Sequence, residues 1–409
     1  MQLMKTSNKK LYFFNPGHET AVQSGKSHYT PTASVRKMMT DLAVLPLWYG
    51  DSNNYILIDG SVDPSIFLMT IPEELRPALT PVTPTSLQTL LCTQIIEASP
   101  WGLSPHSIQV FKALQEENKQ LIIPAWNQEY AQLTARQTAS EYLKLLQLKN
   151  ADYPDINPPH FCTDIYEIKQ YIANHPPPYV LKMPYSCSGR GLYWLANEYI
   201  DKLATQWING AIRKQGSISI ERALNKICDF AMEFESDGTG NIQYVGLSVF
   251  NTMKKGAFSG NLLGPQQVLE KQLTRYIPVK QLRSLQNKIE QLLSRQLGTK
   301  YKGHFGIDML IYQNNDHSYA IHPFIELNLR YTMGLVALQL SKRLIHPRIS
   351  GEFIISHEKD AYIKHQQMLS TYPLEIKEGK IRAGYFPLCP VNPETNYRAY
   401  ILINESTQK

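Results

Sequence analysis

The chain has 409 residues, more than one average domain, so two or three domains with sizeable cores are expected. Hydrophobic residues make up 43% and charged residues 19%, and the net charge of +6 is spread without a long basic run. That pattern argues against a nucleic-acid-binding protein and suits an anionic small molecule such as a nucleotide. Cys92, Cys162, Cys187, Cys228 and Cys389 show neither paired spacing nor C-x-x-C, which excludes a disulfide framework. No apolar stretch approaches membrane-spanning length, and Asn15-Pro16-Gly17 interrupts the first apolar run too early for a signal peptide. No membrane association is expected, and the protein is expected to be cytoplasmic.

Residues 10–15 read as a short buried strand ending in Asn15-Pro16-Gly17. Ligands of an open α/β sheet gather beyond the carboxyl ends of its strands. Asn15, His18 and Glu19 at that edge, with His28 in the loop that follows, are therefore candidate substrate residues. Glu19 suits an ammonium, and His18 can donate to an acid or accept a proton from an amine. A helix is expected from Thr30-Pro31-Thr32, with Thr30 as its cap and Val35, Met38, Met39 and Leu42 on its apolar face. A strand at 55–58, a helix at 104–117 capped by Ser104 and a strand at 120–123 continue the alternation of a parallel α/β layer domain. No G-x-G-x-x-G follows the first strand, which excludes a dinucleotide fingerprint.

Residues 127–147 have helical spacing and contain Arg136, and the proline-rich stretch 150–159 reads as a connector. A short helix at 164–173 precedes a strand at 179–183, the loop 184–191 and a return strand at 192–195. Lys182 stands just before that glycine-bearing loop, where backbone N–H groups and an ammonium suit a phosphate. Strand-like runs at 217–221, 229–235 and 242–250 follow, then an amphipathic helix at 280–297 with Leu282, Leu285, Ile289, Leu292 and Leu293 inward.

Residues 305–330 read as a hairpin around the polar turn 313–318. Successive strand side chains alternate between faces. Phe305, Ile307, Met309 and Ile311 share one face of the first strand, with Asp308 on the other. On the second, Ile321, Ile325, Leu327 and Leu329 oppose His322, Glu326, Asn328 and Arg330. Two carboxylates, an amide and a guanidinium are costly to cluster without a ligand, and their oxygens suit Mg2+ bridging to phosphates. A helix near 335–344, another near 360–371 and a strand pair at 380–386 and 396–403 complete the chain.

In this order the pieces resemble the ATP-grasp superfamily over about residues 127 to 345, preceded by a domain of the pre-ATP-grasp type. The resemblance implies a fold class of α/β and α+β: an N-terminal Rossmann-like layer domain (1–126), then a two-subdomain ATP-grasp fold (127–216 and 217–345). A C-terminal extension (346–409) would pack on the ATP-grasp domain. It implies roles for Arg136 at the α-phosphate and Lys182 before the phosphate-covering loop. Ser186, Ser188, Gly189, Arg190 and Gly191 would form that loop. Glu221 and Leu224 would lie in the adenine-contacting hinge strand, and Asp229 at the ribose. Asp308, Glu326 and Asn328 match the metal ligands, for Mg2+ or Mn2+, and Arg330 the phosphate-contacting arginine. The implied activity is an ATP-dependent ligase that activates a carboxylate as an acyl phosphate and couples it to an amine or other nucleophile. A small-molecule kinase and a non-catalytic nucleotide-binding protein are the alternatives. Partners would be small carboxylates and amines, and a homodimer is left open. Cys187 has no paired histidine nearby in sequence and reads as a loop residue.

Overall fold

The protein is described from a computed structural model covering residues 8–60, 63–115, 120–149, 156–186, 189, 191–253 and 256–404. Cys187, Ser188 and Arg190, like most of the 150–159 connector, lie outside the described residues. The chain divides into two compact units, one of residues 1–126, 260–265 and 335–409, the other of residues 127–259 and 266–334.

The first unit begins with five parallel strands: β1 (Lys9–Phe13), β2 (Tyr55–Leu57), β3 (Thr80–Val82), β4 (Ile96–Pro100) and β5 (Leu121–Ile122). Their order is β3-β2-β1-β4-β5, so the winding reverses between β1 and β4. Leu11, Leu57, Val82, Ile96, Ala98 and Leu121 of the sheet pack with Leu87, Leu91 and Phe111 of the covering helices. Gly17, in the left-handed region at φ +82°, turns the chain directly into a helix at His18–Ser24 that the sequence reading missed. The next helix, Ala33–Asp41, is capped by Thr32 and not by Thr30. Thr32 is extended and its hydroxyl accepts from Val35 N at 3.4 Å, which leaves Pro31 outside the helix.

In the second unit, β6 (His160–Cys162), β7 (Tyr179–Lys182), β8 (Leu192–Leu195) and β9 (Ile218–Arg222) form an antiparallel sheet ordered β6-β9-β7-β8. Helices Ile165–Asn174 and Lys202–Gln215 cover it, the first capped by Asp164. A second antiparallel layer runs β14-β13-β10-β11. Its strands are β10 (Lys226–Asp237), β11 (Ile242–Thr252), β13 (Lys302–Gln313) and β14 (Tyr319–Asn328); β12 (Phe258–Leu263) lies between them in sequence. The helix Val279–Gln296 buries Leu282, Leu285, Ile289, Leu292 and Leu293, as its spacing requires. The helix expected over 127–147 is instead two, Gln128–Thr134 and Arg136–Lys149, because Ala135 is extended at φ −72°, ψ 149°. That break makes Arg136 the first residue of a helix.

Residues 335–409 belong to the first unit. There β15 (Gly351–His357), β16 (Glu375–Lys377), β17 (Lys380–Pro387) and β18 (Tyr397–Ile403) extend antiparallel from the last residues of β12 in the order β12-β15-β18-β17-β16. The expectation had 346–409 lying on the ATP-grasp domain. Instead the buried carboxylate of Asp41 accepts from the backbone N–H groups of Asn396 and Tyr397, at 2.9 Å each, and Ser34 bonds the Tyr397 hydroxyl at 2.6 Å. A buried carboxylate needs such donors, and β18 supplies them. Among the described residues no helix is long and apolar enough to cross a membrane.

Candidate nucleotide and metal site

Directly opposed residues of antiparallel strands project to the same face. Asp308 on β13 stands opposite Glu326 on β14 and Ala231 on β10. Gly306 stands opposite Asn328 and Glu233, and Leu310 opposite His322 and Asp229. Asp229, Glu233, Asp308, His322, Glu326 and Asn328 therefore share one face, while Phe305, Ile307, Met309 and Ile311 are buried on the other. The pairing shifts between Asp308 and Leu310: two steps along β13 span four along β14, from Glu326 to His322. This irregularity brings His322 into the row of Asp229.

Asp308 keeps part of its surface accessible, yet its carboxyl lies deep in protein. Burial first, then the charge of Glu326, raise its pKa well above the usual carboxylate range; Arg330 and a hydrogen bond from Asn328 act the other way. Arg330 Nη2 donates to Asn328 Oδ1 at 3.0 Å and Nη1 to Tyr331 O at 3.1 Å. From its helix start, Arg136 reaches Glu326 Oε1 at 3.0 Å, and donates to Met183 O at 3.1 Å and Ser186 Oγ at 3.2 Å. Arg136 thus ties the base of the 184–191 loop to the carboxylate face.

Among the described residues no group of three or more His, Cys, Asp or Glu is placed to hold a metal ion. The predicted set is two carboxylates and an amide, all oxygen donors. Glu326 and Asn328 each retain acceptor capacity beyond their arginine bonds. Two carboxyls face each other across the strands, and that proximity adds to burial in raising the pKa of Asp308. A hard cation such as Mg2+ or Mn2+ held by these oxygens would relieve the repulsion between the carboxyls. The residues fit such an ion.

Lys182, at the end of β7, is buried and ion-paired with the equally buried Glu221 of β9. Met183 N donates to Gly191 O at 2.9 Å and closes the base of the loop. A Cβ on Gly191 would overlap Ser186, so only glycine fits there, and Gly189 turns the loop at φ +73°. Half-buried Leu224 follows β9, and the Asp229 carboxylate holds Lys226 Nζ at 2.5 Å and the Thr252 hydroxyl at 2.8 Å. Buried His322 sits in the field of Glu221 and Lys182. Burial pushes its pKa down to about 4, with Glu221 opposing and Lys182 adding, so the ring is neutral.

In the first unit Asn15, His18 and Glu19 are buried where the winding of the sheet reverses. Asn15 Nδ2 donates to Gly102 O at 2.8 Å and Oδ1 accepts from Gly102 N at 3.3 Å, joining the ends of β1 and β4. The His18 ring packs on Gly102, where a Cβ would overlap it. His28, by contrast, is exposed on the following loop.

No protein-family model matches this chain, and no curated protein does. Solved structures do. A biotin carboxylase from Campylobacter jejuni, as a β,γ-ATP complex, superposes with a TM-score of 0.55 at 11% identity, covering 98% of this chain and 88% of that one. The biotin carboxylase domain of the 2-oxoglutarate carboxylase of Hydrogenobacter thermophilus, with MgADP, ADP and bicarbonate, gives 0.52 at 11% identity, covering 97% and 86%. An N5-carboxyaminoimidazole synthetase from Staphylococcus aureus, complexed with ADP, gives 0.50 at 11% identity, covering 98% and 94%. The fold is that of the ATP-grasp superfamily.

Within this ATP-grasp fold, Arg136, Ser186, Asp308, Glu326, Asn328 and Arg330 are linked within one unit, and Lys182 and Glu221 form a separate pair of the same unit. Two further residues of the same face were given no role from sequence: His322, and Glu233 on β10. The alternation Asp229-x-Ala231-x-Glu233 puts Glu233 on the polar face, but an acid at that spacing reads equally as solvent-facing until the strand is known to be central.

Proposed function

We propose that the chain is an ATP-dependent ligase that activates a carboxylate as an acyl phosphate and couples it to an amine or another nucleophile. The observation that carries this reading is the shared face of Asp308, Glu326 and Asn328, with Arg330 bonded to one of its members and Arg136 to another. MgATP supplies the phosphoryl group. In phosphoryl transfer the protein's work is positioning and charge neutralisation. Asp308, Glu326 and Asn328 would hold the metal, Lys182, Arg136 and Arg330 would take up phosphate charge, and the 184–191 loop would cover the phosphates. Glu221 and Leu224 would bound the adenine and Asp229 the ribose. The acceptor substrates would meet Asn15, His18 and Glu19, with exposed His28 the weakest member of that set. We further propose a cytoplasmic location.

The test is to incubate the protein with MgATP, pools of small carboxylic acids and hydroxylamine. A ligase of this type yields phosphate and a hydroxamate of one acid. Phosphate transfer to a hydroxyl compound with no hydroxamate would assign a kinase, and no turnover with any pool would reject catalysis.

A further inference from the structure

We infer that Glu233 and Thr332 form a positioning pair that sets Arg330 for the terminal phosphate of a nucleoside triphosphate. The inference rests on the nucleotide reading above and adds two residues to it. Glu233 is 1% exposed, and its carboxyl occupies a recess opened by two glycines on different segments. A Cβ on Gly306 would lie 2.6 Å from Glu233 Oε2, and a Cβ on Gly334 would overlap Oε1. Neither position tolerates a side chain while the carboxyl is in place. Into this recess Thr332 donates its hydroxyl to Glu233 Oε2 at 2.7 Å, across 99 residues of sequence.

The geometry couples this bond to Arg330. Glu233, Gly306 and Asn328 stand in one cross-strand row, so the Glu233 and Asn328 side chains flank a position without one. Asn328 holds the Arg330 guanidinium through Oδ1 at 3.0 Å, and Thr332 begins two residues after it. The stretch 328–332 is thereby pinned at both ends. At its start β14 fixes Asn328; at its end the buried Thr332–Glu233 bond fixes the backbone, leaving Arg330 little freedom. Burial also pushes the Glu233 pKa up to about 8, so near neutrality it is mostly an uncharged acid and does not compete with phosphate for Arg330.

The test uses the full chain and calorimetric titration with MgATP and, separately, MgADP, which lacks the terminal phosphate. Wild type should bind MgATP more tightly, and Arg330→Ala should erase that preference. Thr332→Val and Glu233→Leu should lower MgATP affinity roughly tenfold, the size expected for one buried hydrogen bond, and leave MgADP affinity within about twofold. Thr332→Ser and Glu233→Gln keep a donor and an acceptor and should retain the preference. Equal losses for both nucleotides, or wild-type binding in Thr332→Val, would overturn the pair as a positioning device. Failure of the wild-type chain to bind either nucleotide would instead remove the nucleotide reading, and this inference with it.

Discussion

Replacing Glu233 by Gln should change how stability depends on pH. In the folded chain the Glu233 carboxyl is raised from its ordinary 4.5 to about 8, by burial first, with Asp308 adding and the Thr332 bond and Arg330 opposing. A carboxyl raised on folding contributes stability that is full below its unfolded value and is lost as pH climbs through the folded one. The whole difference is worth on the order of 5 kcal/mol, and most of it develops between about pH 5 and 9. Gln keeps an acceptor for Thr332 and cannot ionise. Wild type and Glu233→Gln should therefore melt at similar temperatures near pH 5, and the variant should gain on wild type as pH rises, by roughly 10 °C at pH 9. Asp308, also raised, is present in both proteins and cancels in the difference. Thermal melts at several pH values decide the matter. Parallel curves from pH 5 to 9 would show that folding does not raise the Glu233 pKa and would refute the reasoning.

Three further outcomes follow from the site. Glu326→Gln and Asn328→Ala should each abolish MgATP turnover with melting temperatures within a few degrees of wild type; full activity in Glu326→Gln would sink the metal assignment. Lys182→Met should weaken ATP binding about tenfold or more by removing a buried charge from the proposed phosphate site, measured by titration; unchanged affinity would leave Lys182 as the structural partner of Glu221. His18→Ala and Glu19→Ala should raise the apparent KM for an acceptor substrate and spare ATP affinity; unchanged kinetics for every co-substrate would remove the N-terminal edge as the specificity site.

The hairpin at the centre of the site was legible because its apolar residues alternate without interruption: Phe305, Ile307, Met309 and Ile311 are each 1% exposed or less. The parallel layer was legible from alternating elements, although β3 and β4 passed unread. β3 spans only three residues and contains Pro81, and β4 closes on Pro100. The break at Ala135 left no signal, because Ala131, Ala135, Ala139, Leu143 and Leu146 keep helical spacing across it with no glycine or proline between. It is set by tertiary bonds instead: Arg136 N donates to Pro184 O, and the Arg136 side chain to Met183 O. The register shift between β13 and β14 was hidden for the same reason, since strand alternation alone cannot locate two extra residues. Glu233 needed knowledge that β10 is flanked on both sides, by β11 and β13.

The charges of the candidate site are paired among themselves, and this bears on how a ligand would enter. Lys182 holds Glu221, Arg136 holds Glu326, and Arg330 holds the oxygen of Asn328. Phosphates alone would draw Arg136 away and leave Glu326 facing Asp308 unrelieved, a like-charged pair in a poorly hydrated place. A divalent cation alone would compete with Arg136 for Glu326. Supplied together, the two would exchange partners in one step: arginine and lysine would pass to phosphate, and Glu326, freed from Arg136, to the cation. The expected result is positive coupling, with ATP binding at least about tenfold tighter in Mg2+ than in excess chelator, a typical size for linked sites. Arg136→Met should shrink that factor, because Glu326 is then unpaired from the start and accepts the cation without exchange. Calorimetry of ATP with Mg2+ or with chelator, on wild type and Arg136→Met, measures both quantities. Equal ATP affinity with and without Mg2+ in the wild-type chain would show that Glu326 and Asp308 take no part in binding a metal–nucleotide complex.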